Sequence, residues 1–309
     1  MIGLLALALM MPLPTSAASE SVATEGAGSP NMRHVAHLDY ELRYQQTKSY
    51  GTDLEFATLQ GRRFALAGTY RNGLQIIDVT RPSRPKIAAV YDCAIAQGDV
   101  QVFQRDGRTY ATYTADDISS HTIRNSGCYR DLGLVDPDSG TPYGTFIVDV
   151  SDPYRPRTVG FAPLPAGSHN QTVHPSGRYL YNSNSDLANR SQPVPTGKIE
   201  VFDISNLANP RLVKTLDLGP GLNSHDITFS GDGKRAYSAA VTHTLVLDTS
   251  RPADPRIIGR INDQTVNIHH QSDPVTIDDP LVGKRRFLVV TDELAGAAGN
   301  GACPGGGLH

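Results

Sequence analysis

Tryptophan is absent from this 309-residue chain, methionine occurs four times and cysteine three times. Aromatic residues make up only 7%. A core built around indole rings is therefore excluded, and so is a small scaffold held by dense disulfides. No block of like charge exists either: 28 Lys+Arg stand against 31 Asp+Glu, a net charge of −3. Nucleic acid has no electrostatic footprint here, so no nucleic-acid partner is expected. Beyond the first residues there is no long apolar run, so no membrane span is expected in the mature chain. What the sequence does hold is glycine (29) and proline (21), a balance that suits many short strands joined by tight turns.

Residues 1–18 read as a signal peptide. An apolar stretch over 2–11 is followed by Ser16-Ala17-Ala18, small residues suited to cleavage, although no Lys or Arg precedes the apolar run. The expected location is secreted, extracellular or associated with the cell envelope. Residues 19–50 form a leader, small and polar up to Pro30, and the repeats occupy 51–309. Three cysteines are compatible with an oxidising compartment; Cys93 and Cys128 are able to pair, which spacing alone does not decide. A zinc site made of cysteines does not fit these spacings.

Internal periodicity decides the fold class. Ile76-Ile77-Asp78-Val79-Thr80 recurs as Ile147-Val148-Asp149-Val150-Ser151, Val201-Phe202-Asp203-Ile204-Ser205 and Val246-Leu247-Asp248-Thr249-Ser250. Each is followed by a proline-bearing turn and by another apolar stretch, the pattern of strand, turn and returning strand. A second phrase opens each unit, as in Gly98-Asp99-Val100, Ser168-His169-Asn170 and Ser224-His225-Asp226, and Gly-Arg or Gly-Lys turns follow at Gly61, Gly107, Gly177, Gly233 and Gly283. Four antiparallel strands per unit of about 40–50 residues make the blade of a β-propeller. The expected fold is all-β, a propeller with about five visible repeats. Two units carry insertions, at 115–142 and 186–196, which are expected to be surface loops. The last blade reads as truncated, stopping one or two residues into its third strand, and 32–37 is a candidate closing strand.

The Ile-Ile-Asp-Val and Ile-Val-Asp-Val phrases, the Gly-Asp-Val-Gln-Val, Ser-His-Asn and Ser-His-Asp openings and the Cys303-Pro304-Gly305-Gly306-Gly307-Leu308 stretch resemble the bacterial LVIVD-repeat proteins over about residues 50 to 309. The resemblance implies a secreted or surface-associated propeller and assigns no reaction.

Aligning the unit starts puts Asp53, Asp99, His169, His225 and His269 at one repeat position. First strands of propeller blades line the central channel, so these residues are expected to ring its mouth. Three imidazoles and two carboxylates there make a candidate site for a divalent transition metal. Asp292, Glu293 and His270 form a second tier, with Asp116, Asp186 and His243 near the ends of second strands. The alternative is that these polar groups only hydrogen-bond neighbouring blades. Ser224-His225-Asp226 spells a hydrolase triad, but adjacent strand residues point to opposite faces. Gly299-Asn300-Gly301 lacks the third glycine of a dinucleotide loop, so no nucleotide cofactor is expected. Cys303 is a weak nucleophile candidate, and Asn170 and Asn189 match glycosylation sequons at near-chance frequency. The functional reading is a propeller that presents loops and a His/Asp-lined channel to a small ligand or protein. The alternative is a metal-dependent propeller enzyme of oxidase or lactonase type.

Overall fold

The structure is a computed structural model that describes residues 31–96, 98–114, 126–134, 143–164, 167–184, 197–219, 222–293 and 307–308. Residues 1–30, where the signal peptide and the start of the leader are expected, lie outside the described residues, as do Asp116, Asp186, Asn189 and Cys303.

Five antiparallel sheets follow one another around an axis as a β-propeller. Blade one contains β1 (Gly51–Leu59), β2 (Arg62–Thr69), β3 (Gly73–Asp78) and β4 (Lys86–Tyr91). Blade two contains β5 (Asp99–Arg105), β6 (Arg108–Thr114), β7 (Gly144–Asp149) and β8 (Arg157–Pro163). Blade three contains β9 (Asn170–Val173), β10 (Tyr179–Asn184), β11 (Lys198–Asp203) and β12 (Arg211–Asp217). Blade four contains β13 (Asp226–Phe229), β14 (Arg235–Ala239), β15 (Thr244–Asp248) and β16 (Arg256–Ile261). Blade five has three strands among the described residues: β17 (His269–Asp279), β18 (Gly283–Asp292) and the two-residue β19 (Gly307–Leu308). The innermost strands β1, β5, β9, β13 and β17 each touch the next.

The repeated Asp-x-Ser/Thr phrase has one physical role in all four complete blades. The Asp carboxylate ends the third strand and accepts the backbone N–H two residues on: Thr80 to Asp78 (2.9 Å), Ser151 to Asp149 (3.0 Å), Ser205 to Asp203 (2.8 Å) and Ser250 to Asp248 (3.0 Å). This is an Asx turn, and it fixes the chain reversal into the fourth strand. An arginine at or just before the start of the second strand pairs with the same Asp: Arg62 with Asp78, Arg108 with Asp149, Arg178 with Asp203 and Arg235 with Asp248. A β-bulge recurs at the matching place in each complete blade's fourth strand, opposite the third-strand steps Ile76–Ile77, Ile147–Val148, Val201–Phe202 and Val246–Leu247. The extra residue twists the outer strand, as a propeller blade requires. The five turn glycines all adopt positive φ, between 65° and 76°.

The alternating apolar residues of blades one to four pack between neighbouring blades. Phe64, Leu66 and Ile76 of blade one meet Val100, Ala111 and Phe146 of blade two. Leu180 and Phe202 of blade three meet Tyr110 and Ile147 of blade two, and Tyr181 and Val201 meet Ile227 and Leu247 of blade four.

Two expectations change. The first insertion is not wholly a surface loop: the short helix α1 (Gly127–Asp131) buries Cys128 and Tyr129 in the core between blades one and two. Cys93 and Cys128 form a disulfide, and Cys128 donates its N–H to Asp92 O, which draws the segment inward. Residues 32–37 are not in a strand. The chain beyond them lies on the open side of blade one, where Leu38 and Tyr40 cover Ala65, Ala67 and Ile77, and Glu41 exchanges two hydrogen bonds with the Gln75 amide. Among the described residues no helix is long and apolar enough to cross a membrane.

Candidate metal centre at the axial mouth

His169 sits immediately before β9 and His225 immediately before β13. Each donates its backbone N–H to the end of its own blade's second strand, His169 to Ser183 O (2.9 Å) and His225 to Ala239 O (2.7 Å). Equivalent anchoring in adjacent blades makes the two rings converge, with Nε2 atoms 2.8 Å apart and centroids 4.0 Å apart. The His270 ring, from β17, lies 4.3 Å from that of His225. Glu293 follows β18 and points its Oε2 at the group, 3.3 Å from His225 Nε2 and 3.9 Å from His270 Nε2. Ligand atoms of His225, His270 and Glu293 all lie within 4.8 Å of one another. Among the described residues this is the one such group of three.

His269 is not in this group. His269 pairs with Asp292 and Gln271 with Thr291, so His270 is the extra residue of a bulge and stands one position before Gln271, as His225 stands before Asp226. The His269 backbone N–H bonds Val241 O of blade four (2.8 Å), and its Nδ1 lies 3.0 Å from Thr244 Oγ1. His270 takes the axial place that repeat alignment gives to His269.

Asp53 and Asp99 form a separate layer. Asp53 accepts the Val100 N–H (2.8 Å) and Asp99 accepts the Gln171 N–H (3.0 Å), each reaching the inner strand of the next blade. The pairings Asp53–Gly68, Asp99–Thr114, Asn170–Ser183 and Asp226–Ala239 put these four residues at one register position. His169 and His225 therefore stand one residue earlier than Asp53 and Asp99, and the sequence alignment merged two adjacent layers. In the carboxylate layer, burial pushes Asp99 well up, and the charges of Asp53 and Asp226 add to it. Burial pushes Asp226 up to about 7, against the hydrogen bond it accepts from Ile227 N.

Asp292 has a structural task, accepting the N–H groups of Asn267 (3.0 Å) and Ile268 (2.9 Å) and the Asn267 amide (2.8 Å). Ser224 Oγ bonds Ser183 Oγ and Ser238 Oγ, both at 2.8 Å, so it serves a hydroxyl chain rather than a triad. The Asn170 sequon lies in β9 with Gln171 fully buried, which leaves it a poor glycosylation acceptor.

Electrostatics in the imidazole layer favour ligation. Burial pushes His225 down to about 4; Glu293 opposes this, while His169 and His270 add to it. Burial also pulls His270 down, and the hydrogen bond with His225 holds Glu293 below the usual carboxylate range. Neutral imidazoles beside an ionised carboxylate are the protonation states that bind a metal. Two Nε2 atoms 2.8 Å apart cannot both carry a proton, so they share either one proton or one cation. Nitrogen donors with one carboxylate suit a divalent transition ion such as zinc, copper or iron.

The LVIVD repeat matches residues 64–93, from β2 to the end of blade one, and residues 196–217, which hold β11 and β12 of blade three. The chain thus carries two LVIVD repeats within its β-propeller. No curated protein matches it in sequence. Among solved structures, this propeller is similar to the periplasmic gluconolactonase of Pseudomonas aeruginosa, with 16% identity and a TM-score of 0.50. That match covers 78% of this chain and 62% of the other, so the propeller spans less than two thirds of the gluconolactonase. A functionally unknown protein from Desulfotomaculum acetoxidans is similar at 14% identity and a TM-score of 0.42, over 83% of this chain and 88% of that one. At these identities the likeness concerns the fold alone.

Proposed function

We propose that this propeller is a binding protein whose axial mouth holds one divalent transition metal. His225, His270 and Glu293 are the ligands, and His169 is the fourth donor. The observation that carries this reading is the convergence of imidazole nitrogens from three successive blades on one carboxylate, with the two closest nitrogens at 2.8 Å. The role of the ion is to present a Lewis-acidic centre to an oxygen- or nitrogen-bearing small ligand entering the mouth. The site lies outside the cytoplasm in this reading, which the Cys93–Cys128 disulfide supports. The test is elemental analysis of protein recovered from its extracytoplasmic compartment, followed by chelation and reloading with Zn²⁺, Cu²⁺ or Mn²⁺. One tightly held equivalent is expected. A protein that carries no metal and accepts none overturns the reading.

A second reading, a metal-dependent enzyme, draws on one feature. His270 and Glu293 keep 41% and 39% of their side chains exposed, whereas His225 keeps 4%. One side of the site thus faces solvent, as a catalytic metal with an open coordination position requires. Turnover of a lactone or a thiol by the metal-loaded protein, absent after chelation, separates this reading from simple binding.

A further inference from the structure

Blade three departs from its neighbours in one row of side chains. The register pairs Gln171 of β9 with Asn182 of β10, and Asn182 with Glu200 of β11, so the three lie side by side on one face. That face looks toward blade two. Leu180 and Phe202, two positions along from Asn182 and Glu200, pack with Tyr110 and Ile147 of blade two, and Asp99 of blade two accepts the Gln171 N–H. In blade two the same row is Val100, Tyr113 and Phe146, part of the core shared with blade one. In blade four it is Ile227, Ser238 and Leu245, where the Ser238 hydroxyl is bonded to Ser224. Blade one has one polar member, Gln75, and Glu41 bonds both ends of its amide. Two amides and a carboxylate thus stand in blade three where the repeat puts apolar or fully bonded groups. Gln171 and Asn182 are 0% exposed and Glu200 9%.

The row does not satisfy itself. Asn182 Nδ2 donates to Glu200 Oε2 (3.0 Å) and to Gly167 O (3.3 Å), two acceptors that fix which end of this amide is nitrogen. Among the described residues its buried Oδ1 has no hydrogen-bond partner, and neither do the two ends of the Gln171 amide or the Ser168 hydroxyl beside Gly167. Glu200 accepts from neutral amides, those of Asn182 and of Asn184 (3.4 Å). Among the described residues no cationic side chain pairs with it, Lys198 on the same face included. Buried charges are stable when paired or bound to a metal, and unpartnered buried polar atoms cost free energy.

We propose that this row, between blades two and three, holds one potassium ion. Glu200 supplies the single negative charge, and the Asn182 and Gln171 amide oxygens and the Ser168 hydroxyl supply neutral donors. Oxygen donors select hard cations, and neutral carbonyl oxygens that replace a hydration shell suit potassium. One carboxylate balances one positive charge, whereas a divalent ion leaves a buried charge uncompensated. Ser168 precedes His169, so the ion braces the connection that delivers this imidazole to the axial mouth.

The test is thermal unfolding of the full chain in EDTA at constant ionic strength, with K⁺ or tetramethylammonium as the only cation. EDTA removes any divalent ion from the axial cluster, which shares no ligand with this row, so failure of one site leaves the other standing. Potassium should raise the wild-type Tm by about 2–4 °C over tetramethylammonium, and the effect should saturate. Glu200→Gln keeps the side-chain shape and should lose the difference, whereas Lys198→Met should keep it. Equal melting of the wild type in the two salts overturns the proposal. So does a difference that survives in Glu200→Gln or vanishes in Lys198→Met. Where Glu200→Gln fails to fold, anomalous scattering from wild-type crystals grown with Rb⁺ replaces it. A rubidium peak bound to Glu200 and the Asn182 amide oxygen is expected, and ordered water alone at that place overturns the proposal.

Discussion

His169 and His225 meet Nε2 to Nε2 at 2.8 Å across the boundary between blades three and four. Each imidazole is delivered by the same backbone hydrogen bond in its own blade, so the contact is a product of the repeat. Repetition brings chemically identical groups together at the axis of a propeller, and like groups at close range need a proton or a cation between them.

The carboxylate layer below makes a prediction about pH. Asp99 has a folded pKa raised above its unfolded value by burial and by Asp53 and Asp226. A raised carboxyl contributes stability that is fully present below the unfolded pKa, about 3.9, and is lost as pH rises through the folded value. Asn cannot ionise, keeps an oxygen for the Gln171 N–H, and already occupies the equivalent position at Asn170. Asp99→Asn should therefore raise the melting temperature at pH 8 and leave it nearly unchanged at pH 4. Thermal melts across that range check this, and a variant less stable than wild type at pH 8 contradicts it.

The Asx turns have the opposite sign. Burial pushes Asp149 up, but the Arg108 hydrogen bond and the Ser151 N–H and hydroxyl outweigh it and hold the carboxyl below its ordinary value. A depressed carboxyl contributes stability above its unfolded pKa and loses it as pH falls through the folded value. Asp149→Ala should cost about 1–3 kcal/mol at pH 7, with the difference from wild type shrinking below about pH 4. Asp149→Asn should recover part of the loss, because it keeps the turn and loses the charge. Urea titrations of the three proteins at pH 7 and pH 3 decide the matter.

Close approach of blades gives a steric prediction. A Cβ on Gly160, in β8, meets the Leu207 carbonyl oxygen of blade three at 1.7 Å. The obstacle is backbone, so relief requires the blades to separate. Gly160→Ala should cost about 1–3 kcal/mol or more. Gly61→Ala is the useful contrast, since nothing lies within 4 Å of its Cβ and only its φ of +74° opposes the change. Equal stability of Gly160→Ala and wild type would show that this contact is not tight.

Much of the fold was legible because the signals are local and repeat. The Asp78, Asp149, Asp203 and Asp248 phrases each encode an Asx turn within a few residues, and the turn glycines encode hairpins. The candidate site was legible in part. The sequence names His169, His225, His270 and Glu293 as candidates, and the structure brings these four together while it places His269 elsewhere. Gln271 pairs with Thr291 at the register of Asp226 with Ala239, so His270, one residue before it, is the equivalent of His169 and His225, and aligning the unit on His269 is one residue early. The same one-residue ambiguity merged Asp53 and Asp99 with the histidine layer. The burial of Cys128 is not legible in its own segment, because it comes from the disulfide and from Tyr129 packing on Phe146, both long-range contacts.

The central claim is the divalent ion at the axial mouth, and cobalt substitution tests it most directly. Chelated protein titrated with Co²⁺ should develop visible d–d bands that saturate at one equivalent, because imidazole and carboxylate donors create a low-symmetry ligand field. The His225→Ala/His270→Ala variant, shown to be folded by circular dichroism, should develop none. Absence of saturable bands in the wild type, or equal bands in the variant, would contradict the account and leave the His169–His225 contact as a shared proton.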